Sequence, residues 1–186
     1  MHIRETIIPG CLELTPRVML DERGSFVKTF HQGMFSDQGL ETRFAEEYYS
    51  RSRRGVLRGL HFQMPPHDHI KMVYCVSGSV LDVVVDLRKG SPAYGRHVQI
   101  ELTADKANML YIPRGLAHGF FVTGDHAIML YNVTTVYAPE HDSGIRWDSA
   151  GIPWPSTTPI ISKRDGAFPS LADFTSPFTF PQEETT

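Results

Sequence analysis

Lys71-Met72-Val73-Tyr74-Cys75-Val76-Ser77-Gly78-Ser79-Val80-Leu81-Asp82-Val83-Val84-Val85-Asp86 is the run on which the fold turns. Two stretches rich in β-branched residues flank Ser77-Gly78-Ser79, a pattern that reads as a β-hairpin. With Ser77-Gly78 as a two-residue turn, Val76 pairs with Ser79 and Lys71 with Val84. Strand alternation then places Lys71, Val73, Cys75, Val80, Asp82, Val84 and Asp86 on one face. Met72, Tyr74, Val76, Leu81, Val83, Val85 and Leu87 occupy the other. One face is wholly apolar; the other is apolar except for a lysine and two aspartates. Lys71 and Asp82 become diagonal neighbours. They form either an edge-exposed ion pair or a lysine inside a β-lined cavity, held charged by a carboxylate. A slip of one residue would exchange the two faces.

Outward from this unit the chain repeats the same texture. Short runs rich in Val, Ile, Tyr and Phe lie at 18–20, 25–30, 43–50, 56–63, 97–103, 109–112, 119–123 and 127–136, punctuated by 15 Gly and 13 Pro. Only 33–39 reads as a short helix. Many closely spaced strands with turn residues between them predict an all-β sandwich or barrel. From Gly151 onward a Pro/Ser/Thr-rich tail is expected to wrap the surface, with 181–186 frayed.

Composition narrows the function. At 186 residues, a single domain with a substantial core is expected. Hydrophobic residues at 41% and charged residues at 21% place the chain among globular proteins. A net charge of −3 gives no basic excess for nucleic acid or an anionic membrane. There is no apolar run of membrane-spanning length, and Met1-His2-Ile3-Arg4-Glu5-Thr6 lacks a signal peptide's apolar stretch. Cys11 and Cys75 cannot build a disulfide framework. A cytoplasmic protein is expected.

Two histidines sit where chemistry could use them. His61 shares a strand face with Leu57 and Gln63, while Arg58 alternates to the opposite face unless Gly59 marks a bulge. His118 ends Pro113-Arg114-Gly115-Leu116-Ala117-His118, a turn leading into an aromatic strand. The spacing of Pro113, Gly115 and His118 resembles the second cupin motif. A metal-binding cupin also needs a His-x-His pair and a Glu before a Gly. His67-Asp68-His69 supplies the pair only superficially, in a Pro-Pro loop expected to be exposed. Lys71 stands where the Glu belongs, and a cation there repels a divalent ion. No metal or other cofactor is expected.

His61, Lys71, His118, Tyr131 and a carboxylate would then equip the cavity. Tyr131 shares its face with Ala127 and Met129, so its sheltered hydroxyl should have a partner. A histidine base, a tyrosine acid and a lysine fit proton abstraction beside a carbonyl. With acid and base on opposite faces of the substrate, the outcome is epimerisation.

Several motifs resemble those of the dTDP-4-dehydrorhamnose 3,5-epimerase family. They are Asp21-Glu22-Arg23-Gly24-Ser25-Phe26, Gly55-Val56-Leu57-Arg58-Gly59-Leu60-His61-Phe62-Gln63, Val80-Leu81-Asp82-Val83-Val84-Val85-Asp86-Leu87-Arg88 and Ile112-Pro113-Arg114-Gly115-Leu116-Ala117-His118-Gly119-Phe120. Ser91-Pro92 before Gly95, Gly144-Ile145-Arg146-Trp147, Trp154-Pro155 and Ser162-Lys163-Arg164-Asp165 complete the series, in family order from about residue 1 to 172. The resemblance implies a cupin jelly-roll barrel with short helical segments, a homodimer, and no metal. It implies His61 as base, held by Asp165, with Tyr131 as acid and Lys71 near the sugar carbonyl. Substrate contacts are implied at Arg23, Phe26, Lys28, Glu46, Glu47, Tyr48, Arg58, Gln63, Lys71, Asp82, His118 and Asp142, with Phe26 serving either its own site or that of a partner subunit. The substrate implied is a nucleoside-diphosphate 4-keto-6-deoxysugar.

The chain departs from the family pattern at the rim. Lys28 reverses a usual Glu. Glu46-Glu47-Tyr48-Tyr49 replaces a run of Gln, Asp, Asn and one more residue, and Asp142 stands for a common Glu. Asn132 replaces a frequent Lys. Replacing Gln by Glu exchanges two donors for acceptors, and a tyrosine offers a stacking face. These changes are either neutral drift or a change of nucleotide or sugar. A 3,4-ketoisomerase and a non-enzymatic nucleotide-sugar binder are the alternatives to an epimerase.

Overall fold

The computed structural model describes residues 1–181. Its strands are β1 (His2–Glu5), β2 (Leu12–Thr15), β3 (Val18–Asp21), β4 (Gly24–Val27), β5 (Glu46–Arg53), β6 (Leu57–Gln63), β7 (Lys71–Asp86), β8 (His97–Thr103), β9 (Met109–Ile112), β10 (Leu116–Val133) and β11 (Asp142–Gly144). Two one-turn helices, α1 (Gln32–Ser36) and α2 (Lys163–Ala167), and a 3-10 turn (Pro139–His141) interrupt them.

The expected hairpin at Ser77-Gly78 does not form. β7 is one strand of 16 residues and pairs antiparallel with β10, itself one strand of 18 residues. The runs at 119–123 and 127–136 are likewise a single strand. Both long strands pass from one sheet into another. Residues 71–74 of β7 pair with β9, whereas 79–85 pair with β8. Residues 126–133 of β10 pair with β5, whereas the segment from His118 to Phe121 pairs with β6. One layer therefore runs β1-β2-β9-β7-β10-β5, and the other β8-β7-β10-β6-β11. This is the expected jelly-roll arrangement, two layers joined through shared strands.

The crossing explains the misread glycine. Cys75 faces Met129 and Ser77 faces Ile128, so Val76 is an extra residue in β7, a bulge that bends the strand. Gly78 follows at φ +83°, and a Cβ there would run into the His126 carbonyl oxygen. No other residue tolerates so close a backbone. The bulge also shifts the alternation by one. Residues 71, 73 and 75 face inward before it, and 80, 82 and 84 after it, so the two faces assigned from the sequence hold for a different reason.

Three apolar clusters follow from that pleat. Val73, Cys75, Val80 and Val84 meet Leu102, Leu110, Phe120 and Met129 between the layers. On the outside of the first layer, Met72, Met109 and Tyr111 pack on Leu14 and Phe35. Val83, Val85 and Leu87 on the outside of the second are covered by Ile145, Ile152 and Phe178. Each fully buried aliphatic or aromatic side chain contributes roughly 1.5–3 kcal/mol. The tail wraps the second layer as expected. Ser176 Oγ donates to the Leu87 carbonyl at 2.5 Å, and the Lys89 N–H to the Phe178 carbonyl at 2.9 Å. It also carries α2, which its composition hides. Apart from Pro181, the segment expected to fray lies outside the described residues.

The motif Asp86-Leu87-Arg88 has a structural use. Asp86 is fully buried and accepts from Arg88 Nε at 2.9 Å, Arg88 Nη2 at 2.8 Å and Ser91 Oγ at 2.6 Å. Arg88 Nη2 also donates to the Pro9 carbonyl, tying the N-terminal segment to the end of β7. Buried charges persist only when matched in this way.

Candidate active site

A cavity of about 350 Å³ opens between the two layers. Arg58, His61 and His118 enter it from the β6 side, and Tyr48, Lys71 and Tyr131 from the opposite layer. That volume suits a small-molecule ligand.

Arg58 and His61 reach the same cavity because β6 is bulged. His118 pairs with His61, and Phe120 with Arg58, which leaves one extra residue on β6. Gly59 takes φ +135°, and a Cβ on it would lie 2.6 Å from Gly119 Cα. The bulge that Gly59 signals in the sequence is therefore real, and Leu57 does not share the face of His61; it is buried at 1% exposure.

His61 is held from behind. Its Nε2 lies 2.9 Å from Asp165 Oδ1, while Asp165 Oδ2 accepts the Gly59 N–H at 3.1 Å. Burial alone would raise the Asp165 carboxyl, but hydrogen bonds from His61, Gly59 and Ser162 outweigh it and bring it below the usual carboxylate range. An ionised carboxylate only accepts, so the proton sits on Nε2 and Nδ1 keeps a lone pair. Asp165 is placed by α2, capped where Ser162 Oγ accepts the Asp165 N–H.

The opposite wall carries the acid-type group. The Tyr131 ring stacks on Tyr48 at 4.7 Å and 15°, and its hydroxyl lies 3.3 Å from Ser50 Oγ. Burial pushes the Tyr131 phenol upward, only partly offset by Ser50, and pushes Tyr48 up to about 12. Both stay protonated donors at neutral pH. Lys71 is buried, with Nζ 3.4 Å from the His61 carbonyl. Desolvation lowers it to about 8, against the pull of Asp142 and Asp82. The cavity reading of Lys71 holds, but the anticipated Lys71–Asp82 pair does not. Asp82 lies beneath His118, whose Nε2 is 2.9 Å from Oδ2. Burial raises the Asp82 carboxyl, opposed by His118 and Lys71.

Alternation sorts the rim residues. Glu46 and Tyr48 point into the cavity with Ser50, whereas Glu47 alternates outward and accepts from Asn132 Nδ2 at 2.6 Å. Asp142 lines the opening, where Arg164 Nη2 reaches it at 2.7 Å and the Tyr137 hydroxyl donates at 3.2 Å. Gln63 lines the cavity too, but its amide is consumed: Nε2 donates to the His67 carbonyl at 2.8 Å, and Oε1 accepts the Ala138 N–H at 2.7 Å. Arg23, Phe26 and Lys28 do not line this cavity. Arg23 and Phe26 lie on the exposed β3–β4 hairpin and Lys28 just beyond it, with Arg23 paired to Asp21.

His69 is the clearest omission of sequence reasoning. It is not exposed; it lines the cavity, its Nδ1 lies 3.2 Å from Thr135 Oγ1, and its Nε2 is buried without a protein partner. Burial, then Lys71, depresses it to about 3. The His-x-His pair is split, since His67 turns away toward His141. The alternation through 67, 69 and 71 was a usable indication, because His69 shares the parity of Lys71. Tyr137 and Arg164 carry no local pattern that would place them here.

This constellation has counterparts. A family model described as dTDP-4-dehydrorhamnose 3,5-epimerase matches residues 5–173. The enzyme of that name from Shigella flexneri is 41% identical over 168 residues, covering 89% of this chain and 93% of its own. The dTDP-6-deoxy-D-glucose-3,5-epimerase of Legionella pneumophila, solved with dTDP-4-keto-L-rhamnose, superposes with a TM-score of 0.92 at 33% identity, covering 97% of this chain and 99% of that one. The Bacillus anthracis enzyme, solved with TDP and pyrophosphate, gives 0.89 at 36% identity over 91% and 99% of the two chains. With its motifs, its two-layer barrel and its His61–Asp165 and Tyr131 walls, the chain belongs to the dTDP-4-dehydrorhamnose 3,5-epimerase family, and it is an isomerase of the epimerase type.

Proposed function

We propose that the chain inverts one or both carbons flanking the C4 ketone of a nucleoside-diphosphate 4-keto-6-deoxyhexose, without a metal. The observation that carries this is the placement of His61 and Tyr131 on opposite layers facing one cavity. His61 Nδ1 takes the proton from the carbon beside the ketone, and the electron pair moves onto the C4 oxygen as an enolate. Lys71, an ammonium below pH 8, faces that oxygen and lowers the energy of its charge. Tyr131 returns a proton to carbon from the opposite face. His118, fixed by Asp82, walls the same side as His61. Arg58, anchored to Ser52 Oγ at 2.9 Å, offers its guanidinium to the diphosphate.

The dTDP-sugars named for the relatives make dTDP the first nucleotide to test, with Glu46, Tyr48 and Lys28 as positions that would redirect it. A homodimer is part of the same reading. Leu20 and Phe26 on the β3–β4 hairpin are 78% and 58% exposed, an apolar surface that suits burial against a second copy. Arg23 and Phe26 would then complete the partner's cavity.

The test is incubation with dTDP-4-keto-6-deoxyglucose in deuterium oxide. Deuterium at C3, C5 or both with inverted product is expected, and His61→Ala should abolish it while binding of dTDP persists. A ketone shifted to C3 would mark a ketoisomerase, and binding without exchange a non-enzymatic receptor. Thermal shift with dTDP, UDP, GDP and CDP ranks the nucleotides, since a ligand of the native state raises its apparent stability.

A further inference from the structure

A second imidazole cluster lies outside the catalytic cavity, at its rim. His67, in the loop between β6 and β7, and His141, closing the 3-10 turn, bring their rings to 4.4 Å between centroids at 40°. Glu140 completes a set whose donor atoms all fall within 4.8 Å of one another. Among the described residues, neither ring nor the Glu140 carboxylate takes part in a side-chain hydrogen bond or ion pair. Three strong donors thus converge while bonding to nothing else.

The backbone beneath them is fixed. The Met64 N–H donates to the His141 carbonyl at 2.8 Å, and the His67 N–H to the Met64 carbonyl at 3.0 Å. The His67 carbonyl accepts from both Gln63 Nε2 and Thr135 Oγ1 at 2.8 Å. The two segments are held side by side, with the imidazoles half-buried and the carboxylate exposed.

We propose that His67, Glu140 and His141 form a binding site for a zinc-class divalent ion. Two imidazoles and one carboxylate are the donor types that first-row transition ions of this class prefer, and they leave a fourth position for water. Bonds of about 2.0–2.1 Å in a tetrahedral site bring donor atoms to roughly 3.3 Å apart. With the donor atoms already within 4.8 Å of one another, at most about 1.5 Å remains to be closed. The ion would tie the 64–69 loop to the 139–142 segment, and these two segments deliver His69 and Asp142 to the cavity. Its role is a clamp on the rim, distinct from the acid–base chemistry and independent of the proposed reaction.

The test titrates the chelator-stripped full chain with Zn²⁺ by calorimetry. One ion per chain with a dissociation constant roughly in the micromolar range is expected, with slower amide exchange over residues 64–69 on binding. Co²⁺ should bind with visible d–d absorption. Glu140→Gln, a change at an exposed side chain, should weaken Zn²⁺ by about tenfold or more, and His67→Ala with His141→Ala should abolish binding. Absence of saturable Zn²⁺ uptake overturns the proposal. So does unchanged affinity in Glu140→Gln or in the double variant.

Discussion

Asp165→Asn exchanges a carboxylate for its isostere, and the structure dictates how the amide must sit. The Gly59 N–H needs an acceptor where Asp165 Oδ2 now lies, at 3.1 Å. The asparagine carbonyl therefore takes that side, and its NH₂ faces His61 Nε2, at the present 2.9 Å. An NH₂ only donates, so Nε2 must accept and the imidazole proton moves to Nδ1. The nitrogen facing the chemistry then carries a hydrogen and cannot take another. The same swap behind the histidine of a Ser–His–Asp triad, which also imposes the wrong tautomer, costs about 10⁴ in kcat. At about 1.36 kcal/mol per decade, this amounts to about 5.5 kcal/mol of lost transition-state stabilisation. We expect a comparable loss in both epimerisation and solvent deuterium exchange, with dTDP binding and the thermal midpoint close to wild type. The assay is single-turnover exchange in deuterium oxide. A loss of less than about tenfold in the folded variant would refute the tautomer argument and leave Asp165 as a packing residue of α2.

Tyr131→Phe should impair inversion more than exchange, because abstraction by His61 continues while the opposite-face proton return fails; equal loss of both would make Tyr131 a positioning residue. Lys71→Met should raise stability at pH 7 while removing activity. The folded protein releases the Lys71 proton near pH 8, whereas the unfolded chain holds it to about 10.5. In that window the unfolded state binds more protons, so wild-type stability climbs with pH. Below it Lys71 costs on the order of 3 kcal/mol, visible as a gap between the two urea curves that closes above pH 10.5; a constant gap would contradict it. Gly78→Ala should destabilise by about 3 kcal/mol or more, since the new Cβ meets the His126 carbonyl at positive φ. A urea midpoint near wild type would mean that the two long strands can bend without it.

His61, His118 and Asp165 were legible as cavity candidates because they sit in short motifs with fixed neighbours. Leu57 to Gln63 contains both His61 and the Gly59 bulge, and 113–118 contains the turn into His118. Alternation placed Lys71 on one face with Val73 and Cys75 but left open whether that face was an exposed edge or a cavity. Glu47 could not be separated from Glu46 and Tyr48 by resemblance, although simple pleating already puts it on the other face. His69 escaped because Pro65-Pro66 suggests a solvated loop, and its burial depends on Gln63 and Thr135, distant or unremarkable in sequence. Among the described residues, β1, β2 and β11 went unread: at 4, 4 and 3 residues they are short, and charged or small polar residues break any run of β-branched and aromatic side chains.

What the amino-acid order determined by itself was strand content, the positions where glycine permits a bulge, and the chemical kinds of group available. Those are local properties, set by the two-residue repeat of a strand and by glycine at points of close backbone approach. Only the tertiary structure decided that Ser77-Gly78 is a bent crossing, that Asp165 is presented to His61 by a helix, α2, and that Tyr131 stands in the layer opposite His61. Each depends on pairing between segments far apart in the chain. A bulge and a hairpin turn use the same residues, and what separates them is whether a partner strand such as β10 lies alongside to satisfy the backbone.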